Sequence, residues 1–384
     1  MASLSFQIIH VLVFCACILI PTSSQSHPHQ PEKHAALFIF GDSFFDAGNN
    51  IYINTTTDYQ RNFWPYGETF FDYPTGRASD GRLIPDFIGK SVAQMTLVSL
   101  LQLSMQNSHS FRHIYSLVII NLLMGQTLHL GEPGALDQTN QGLVINLNTQ
   151  LTYFKDVEKL LRQKLGDEAA KKMLFEAVYL ISIGSNDYLS PFLWNSTVLQ
   201  SYSHEQYIHM VIGNLTVVIK EIYKKGGRKF GLLDVGPLGC VPIMKEIKLQ
   251  QGGMGCIEEA TELAKLHNIA LSKVLQELES KLKGFKYSIS NFYTFLEERM
   301  NNPSKYGFKE GKIACCGSGP FRGLSSCGGK SSIKEYELCS NVSEYVFFDS
   351  VHPTDRAYQQ IAELIWSGTR NITGPYNLKA LFFD

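Results

Sequence analysis

Leu37-Phe38-Ile39-Phe40-Gly41-Asp42-Ser43 and, some three hundred residues later, Tyr345-Val346-Phe347-Phe348-Asp349-Ser350-Val351-His352 are two short apolar runs, each ending in polar residues. Each reads as a buried strand that stops at a turn. Open α/β sheets assemble their sites at the carboxyl ends of strands, so Ser43 and the Asp349/His352 pair can meet in space although the chain separates them.

Outward from these runs the same pattern repeats. Apolar bursts at Leu37 to Phe40, Val178 to Ile183, Phe230 to Val235, Tyr287 to Phe292 and Tyr345 to Phe348 read as strands. Between them, stretches of helical period lie at Leu151 to Leu165, Gln206 to Lys225, Ile257 to Leu282 and Asp355 to Trp366. Alternation of this kind predicts a mostly parallel sheet covered by helices on both faces. Because the elements interleave throughout, one domain over 26–384 is expected. The stretch Pro303 to Cys339, rich in Gly, Ser and Cys, reads as a long surface loop pinned by disulfides.

Composition bounds the function. The chain has 384 residues, 44% of them apolar, enough for a large core. Its 34 Lys and Arg against 35 Asp and Glu leave a net charge of -1, with no electrostatic footprint for nucleic acid. A small molecule or an uncharged surface is the expected partner, and nothing fixes an oligomeric state.

The apolar run Ile8 to Ile20 breaks into Pro21-Thr22-Ser23-Ser24-Gln25-Ser26, as a secretory signal does, although no Lys or Arg precedes it. We read 1–25 as that signal and expect no integral membrane segment in the mature chain, since the run is too short to span a bilayer. Removing it takes away Cys15 and Cys17 and leaves six of the eight cysteines: Cys240, Cys256, Cys315, Cys316, Cys327 and Cys339. Six cysteines in an oxidising compartment form up to three disulfides, with about 15 pairings open. Asn-x-Ser/Thr sequons at Asn54, Asn195, Asn214, Asn341 and Asn371 fit the same extracellular destination.

A serine hydroxyl needs a base within hydrogen-bond reach and a third group to orient that base. Ser43, after a strand and at the expected start of a helix, would expose its Oγ and aim its own N–H at a developing oxyanion. An N-capping serine gives the same local pattern. His352 follows Asp349 by three residues, close enough for the carboxylate to fix one ring nitrogen and free the other for Ser43, although Asp349 could also cap the following helix. Gly184-Ser185-Asn186-Asp187 follows the second strand; there an Asn amide suits an oxyanion, and the four residue types equally suit a plain turn.

At these residues the chain resembles the plant GDSL esterase/lipase family, within the SGNH hydrolases. The resemblance rests on Gly41-Asp42-Ser43-Phe44-Phe45-Asp46-Ala47-Gly48-Asn49-Asn50, Gly76-Arg77-Ala78-Ser79-Asp80-Gly81-Arg82, Gly184 to Asp187, Gly236-Pro237-Leu238-Gly239-Cys240 and Phe348-Asp349-Ser350-Val351-His352-Pro353-Thr354. It implies a flavodoxin-like three-layer α/β/α sandwich and hydrolysis of acyl esters or lipids through an acyl-enzyme. It further implies Ser43 as nucleophile, His352 as base, Asp349 as its orienter and Asn186 as an oxyanion donor, with secretion to the apoplast or cell wall and neither metal nor cofactor. The same acyl-enzyme discharged to an alcohol would make an acyltransferase, and a degraded site would leave a secreted binding or defence protein.

One block departs from the family. Its second motif, Asn-Phe-Ala-Ser-Gly-Gly-Ala-Gly, supplies a strand and a glycine N–H for the oxyanion, and it is absent here. Residues 91–133 instead run into Gly125-Gln126-Thr127-Leu128-His129-Leu130-Gly131-Glu132-Pro133, and family-like sequence resumes at Gly134. A permitted back-translation of 125–133 in a shifted frame gives Ser-Asn-Phe-Ala-Ser-Gly-Gly-Ala. The segment is therefore expected to be frame-shifted or mis-spliced, with Gly131 the nearest positional candidate for the lost donor.

Overall fold

In the computed structural model, the described residues are 36–92, 132–324, 327–329 and 335–383. Four parallel strands, β1 (Leu37–Gly41), β2 (Val178–Ser182), β3 (Lys229–Leu233) and β4 (Lys286–Ser290), lie side by side in that order. The fifth, β5 (Thr373–Pro375), adds antiparallel to β4. β5 is not among the strands expected from apolar runs, being only three residues long and ending in Pro375. At a sheet edge the missing N–H of a proline costs no ladder bond, which is why the strand is tolerated there.

The helices used below are α1 (Leu147–Leu165), α2 (Asp167–Glu176), α3 (Ser185–Leu193), α4 (His204–Lys224), α5 (Pro242–Gln250), α6 (Glu258–Lys281), α7 (Phe292–Asn301), α8 (Asp355–Ser367) and α9 (Leu378–Phe383). Caps explain starts that periodicity misjudged. Asn146 accepts from Thr149 N, so α1 begins four residues before Leu151. Ser203 and Gln206 form a reciprocal capping box that starts α4 at His204.

Strand parity makes the layers. Phe38, Tyr179 and Phe230 share one face; Phe38 and Phe40 meet Phe154 of α1 edge-on, and Tyr179 stacks on Phe38 and Phe230. Gly231 faces the other way, and a Cβ there would lie 2.8 Å from Leu378 of α9. Helices thus cover both faces of a mostly parallel sheet, the expected three-layer α/β/α arrangement.

The run Tyr345 to Phe348 is not a strand of this sheet, which corrects the sequence expectation. It is extended, but the disulfide-rich segment takes up its backbone: Cys315 N donates to Phe347 O at 2.9 Å and Cys316 N to Phe348 O at 2.8 Å. Cysteines pair as Cys240–Cys256, Cys315–Cys339 and Cys316–Cys327. Two of these bridges, with Tyr66 and Phe348, form a small core separate from the main one. Among the described residues, no helix is long and apolar enough to cross a membrane.

Candidate active site

β1 ends at Gly41 because nothing larger fits there: Ser182 O of β2 lies 2.3 Å from where a Cβ would stand. Asp42 N then donates to Ser182 O at 3.0 Å, so the chain leaves the sheet against the end of β2 and presents Ser43. Ser43 begins a turn rather than the expected helix, with Phe45 N bonded to Asp42 O. Helix formation is diverted by Asp46, whose carboxylate accepts from Gly48 N and Asn49 N, and by Gly48 in the left-handed region at φ 104°.

Asp349 folds its own loop. Its Oδ1 accepts from His352 N at 2.7 Å and Val351 N at 3.0 Å, while Phe348 N donates to His352 O. This tight turn brings the imidazole back onto the carboxylate, with Nδ1 at 2.8 and 2.9 Å from the two oxygens. Nδ1 donates there, so Nε2 is the acceptor, and Ser43 Oγ lies 2.7 Å from it. Ser43, Asp349 and His352 are each at least 97% buried. The structure thus brings together the three residues that sequence singled out.

Electrostatics favour an ionised Asp349. Burial pushes its carboxyl up, but the His352 imidazole, the Arg61 guanidinium and the Val351 N–H outweigh burial and hold it well below the usual carboxylate range. Beside Ser43 the balance is opposite: burial raises Asp42 to about 8, against the backbone N–H groups of Phe44 and Asp42 itself.

Asn186 lies in the first turn of α3, 6% exposed, and its amide donates to Pro133 O at 3.1 Å. The turn is possible because Gly184 adopts φ 119° and stands where a Cβ would meet His267 Cε1 at 2.8 Å. Gly131 lies outside the described residues. Asp187 ties down the segment just after it, accepting from Ala135 N, Leu136 N and Thr139 Oγ1 at 2.7 to 3.0 Å. Asp187 also lines a cleft of about 600 Å³ whose mostly apolar wall includes Leu136, Trp194, Tyr202, Tyr207 and Met210. Neither Ser43 nor His352 lines it.

Sequence reasoning missed two residues around Asp349. Tyr66 donates its hydroxyl to Asp349 Oδ2 at 2.8 Å, and Arg61 Nε stands 3.8 Å from the same oxygen while its Nη2 pairs with Glu132. Tyr66 stands in a stretch with Phe63, Trp64, Phe70, Phe71 and Tyr73, and nothing local tells these aromatics apart. Phe63 and Tyr66 pack on each other, and Trp64, Phe70 and Tyr73 are exposed. No local pattern marks Arg61, since its contacts come from loops far away in sequence.

Of the sequons, Asn54, Asn195, Asn341 and Asn371 are exposed. Asn214 is half-buried in α4 and its amide already donates to Ala135 O. Among the described residues, no three His, Cys, Asp or Glu side chains converge as a metal site.

Residues 37–365 match the family model described as GDSL-like lipase/acylhydrolase. GDSL esterase/lipase 1 of Arabidopsis thaliana is 51% identical over 356 residues, 91% of this chain and 90% of that protein. GDSL esterase/lipase 4 of the same plant is 46% identical over the full length of both chains. A GDSL lipase of Tanacetum cinerariifolium is 46% identical over 97% of this chain and 93% of its own.

Proposed function

The chain belongs to the GDSL-like lipase/acylhydrolase family and is a carboxylic ester hydrolase, and on that premise we propose a serine acyl-enzyme mechanism carried by Ser43, His352 and Asp349. The observation that carries this reading is the continuous hydrogen-bonded line from Asp349 through His352 to Ser43 Oγ. His352 Nε2 takes the hydroxyl proton as Ser43 attacks the ester carbonyl, Asp349 stabilises the imidazolium, and the proton then passes to the leaving alcohol. Water, activated by the same nitrogen, releases the acid. The Ser43 N–H and the Asn186 amide are the donors we assign to the oxyanion.

The proposed substrate is a small-molecule acyl ester or lipid, whose carbonyl carbon must reach Ser43 Oγ. We further propose that 1–25 is a secretory signal, that 26–384 forms one extracellular domain, and that Asn54, Asn195, Asn341 and Asn371 are its exposed glycan acceptors. Three disulfides and plant relatives of this family are consistent with export. We also propose that 91–133 is a frame-shifted stretch. A cDNA that encodes Leu128-His129-Leu130 as written would remove that idea.

Labelling with a fluorophosphonate tests the mechanism. The protein is expected to take up one equivalent at Ser43, and the folded Ser43→Ala variant none. A folded protein that stays unlabelled, or label that persists in Ser43→Ala, would sink the acyl-enzyme reading.

A further inference from the structure

Asp349 is held by more than the turn it sits in. Its Oδ2 receives the Tyr66 hydroxyl at 2.8 Å and faces Arg61 Nε at 3.8 Å, and both donors come from the loop that follows Gln60. Tyr66 is 1% exposed, its ring fixed edge-on between Phe63 and Phe348 with centroids 5.2 Å away on each side. Behind it pack Cys315, Cys316 and Cys327, whose segment also bonds to Phe347 and Phe348 just before Asp349. The disulfide-pinned segment therefore supports both the phenol and the backbone that carries the carboxylate.

We propose that Tyr66 and Arg61 are positioning residues for the reaction, acting through Asp349 to fix the orientation of His352 and to weaken the carboxylate's grip on an imidazolium proton. This rests on the Ser43/His352/Asp349 mechanism proposed above. A donor on Oδ2 draws negative charge away from the face that Nδ1 meets, and a nearby cation does the same at longer range. With both in place the carboxylate is held from Oδ2 as well as from its own turn, and the imidazole it meets keeps Nε2 aimed at Ser43 Oγ.

Other groups around the pair set the background. Tyr358 of α8 faces Asp349, Asp42, Asp80 and Arg61, and Glu132 stands behind Arg61. Glu132 is paired with Arg61 and offsets part of its charge, so the phenol is the stronger lever.

The test is the pH profile of kcat/KM for a p-nitrophenyl ester, with the rate of fluorophosphonate labelling measured alongside. Tyr66→Phe keeps the ring and its packing and removes only the donor. Its acid limb is expected to move up by about half a pH unit, about a threefold loss of rate at a fixed pH within the limb. Arg61→Met combined with Glu132→Gln removes the ion pair as a unit, leaves no lone buried charge, and should move the limb the same way; it reads the effect if Tyr66→Phe does not fold. A folded variant whose plateau falls while its limb stays put, or whose limb moves down, overturns the proposal. Failure to label Ser43 in the unmodified protein would instead overturn the mechanism on which it rests.

Discussion

A buried carboxylate at position 187 accepts from three donors, all on the segment 135–139, and so joins α3 to the chain that leads into α1. Removing such a group strands its donors away from water, at about 1 to 3 kcal/mol for each one left unsatisfied. Asp187→Ala is expected to lose roughly 3 kcal/mol in urea unfolding and to lower ester turnover, because Asn186 precedes it on the same turn and bonds to Pro133 O. A loss under about 1 kcal/mol would mean that other ties, such as Asn214 to Ala135 O, carry the segment. At this scale Ser43, Asp349 and His352 were legible in sequence, since each follows an apolar run and the Asp–His spacing is local. Tyr66 and Arg61 were not, because an aromatic or an arginine in a loop becomes informative only when distant chain packs on it.

Elements were legible where packing and local signal agree. β1 to β4 and the long helices α1, α4, α6 and α8 all follow from buried runs and helical period. Tyr345 to Phe348 carries the same apolar signal, yet its N–H and C=O groups go to Val346–Glu310, Phe347–Cys315 and Phe348–Cys316 bonds instead of the sheet. Burial alone does not say which neighbour a strand-like run will pair with. β1 pairs with β2 on one side and with no strand among the described residues on the other. At its end the free side is met by Gln150, whose amide accepts from Gly41 N at 3.0 Å and donates to Gly41 O at 2.9 Å. The second family block would supply a strand and an oxyanion donor, and loss of one such donor costs about 100- to 1000-fold in rate. Replacing 125–132 by Ser-Asn-Phe-Ala-Ser-Gly-Gly-Ala is therefore expected to raise kcat by about 100-fold and to raise the melting temperature. Equal activity in the two versions would show that the segment as written is competent.

Taken whole, the protein is nearly neutral, with 34 cationic against 35 anionic side chains, so overall charge repulsion contributes little to its response to pH. Buried carboxyls dominate instead. Burial raises Asp42 to about 8, Asp234 to about 7, and Asp46, Asp80 and Asp187 to about 6, from 3.8. Each of these groups keeps its proton in the fold at a pH where the unfolded chain has released it. The stability this confers is complete below about pH 4 and is lost as pH rises through 6 to 8. Asp349 has the opposite sign: its folded value is lowered, so its contribution is present above about pH 4 and disappears on further acidification. The two trends cross near pH 4, where stability should be greatest. A shift of about two pH units corresponds to roughly 3 kcal/mol, enough to move the melting temperature by several degrees in a chain of this size. Thermal unfolding at intervals from pH 4.5 to 8.5 should show a steady fall, and Asp42→Asn should flatten its upper part, between about pH 6 and 8. A melting temperature that holds level or climbs to pH 8 would mean that hydrogen bonds to these carboxylates outweigh their burial, and that the interior is built to hold them ionised.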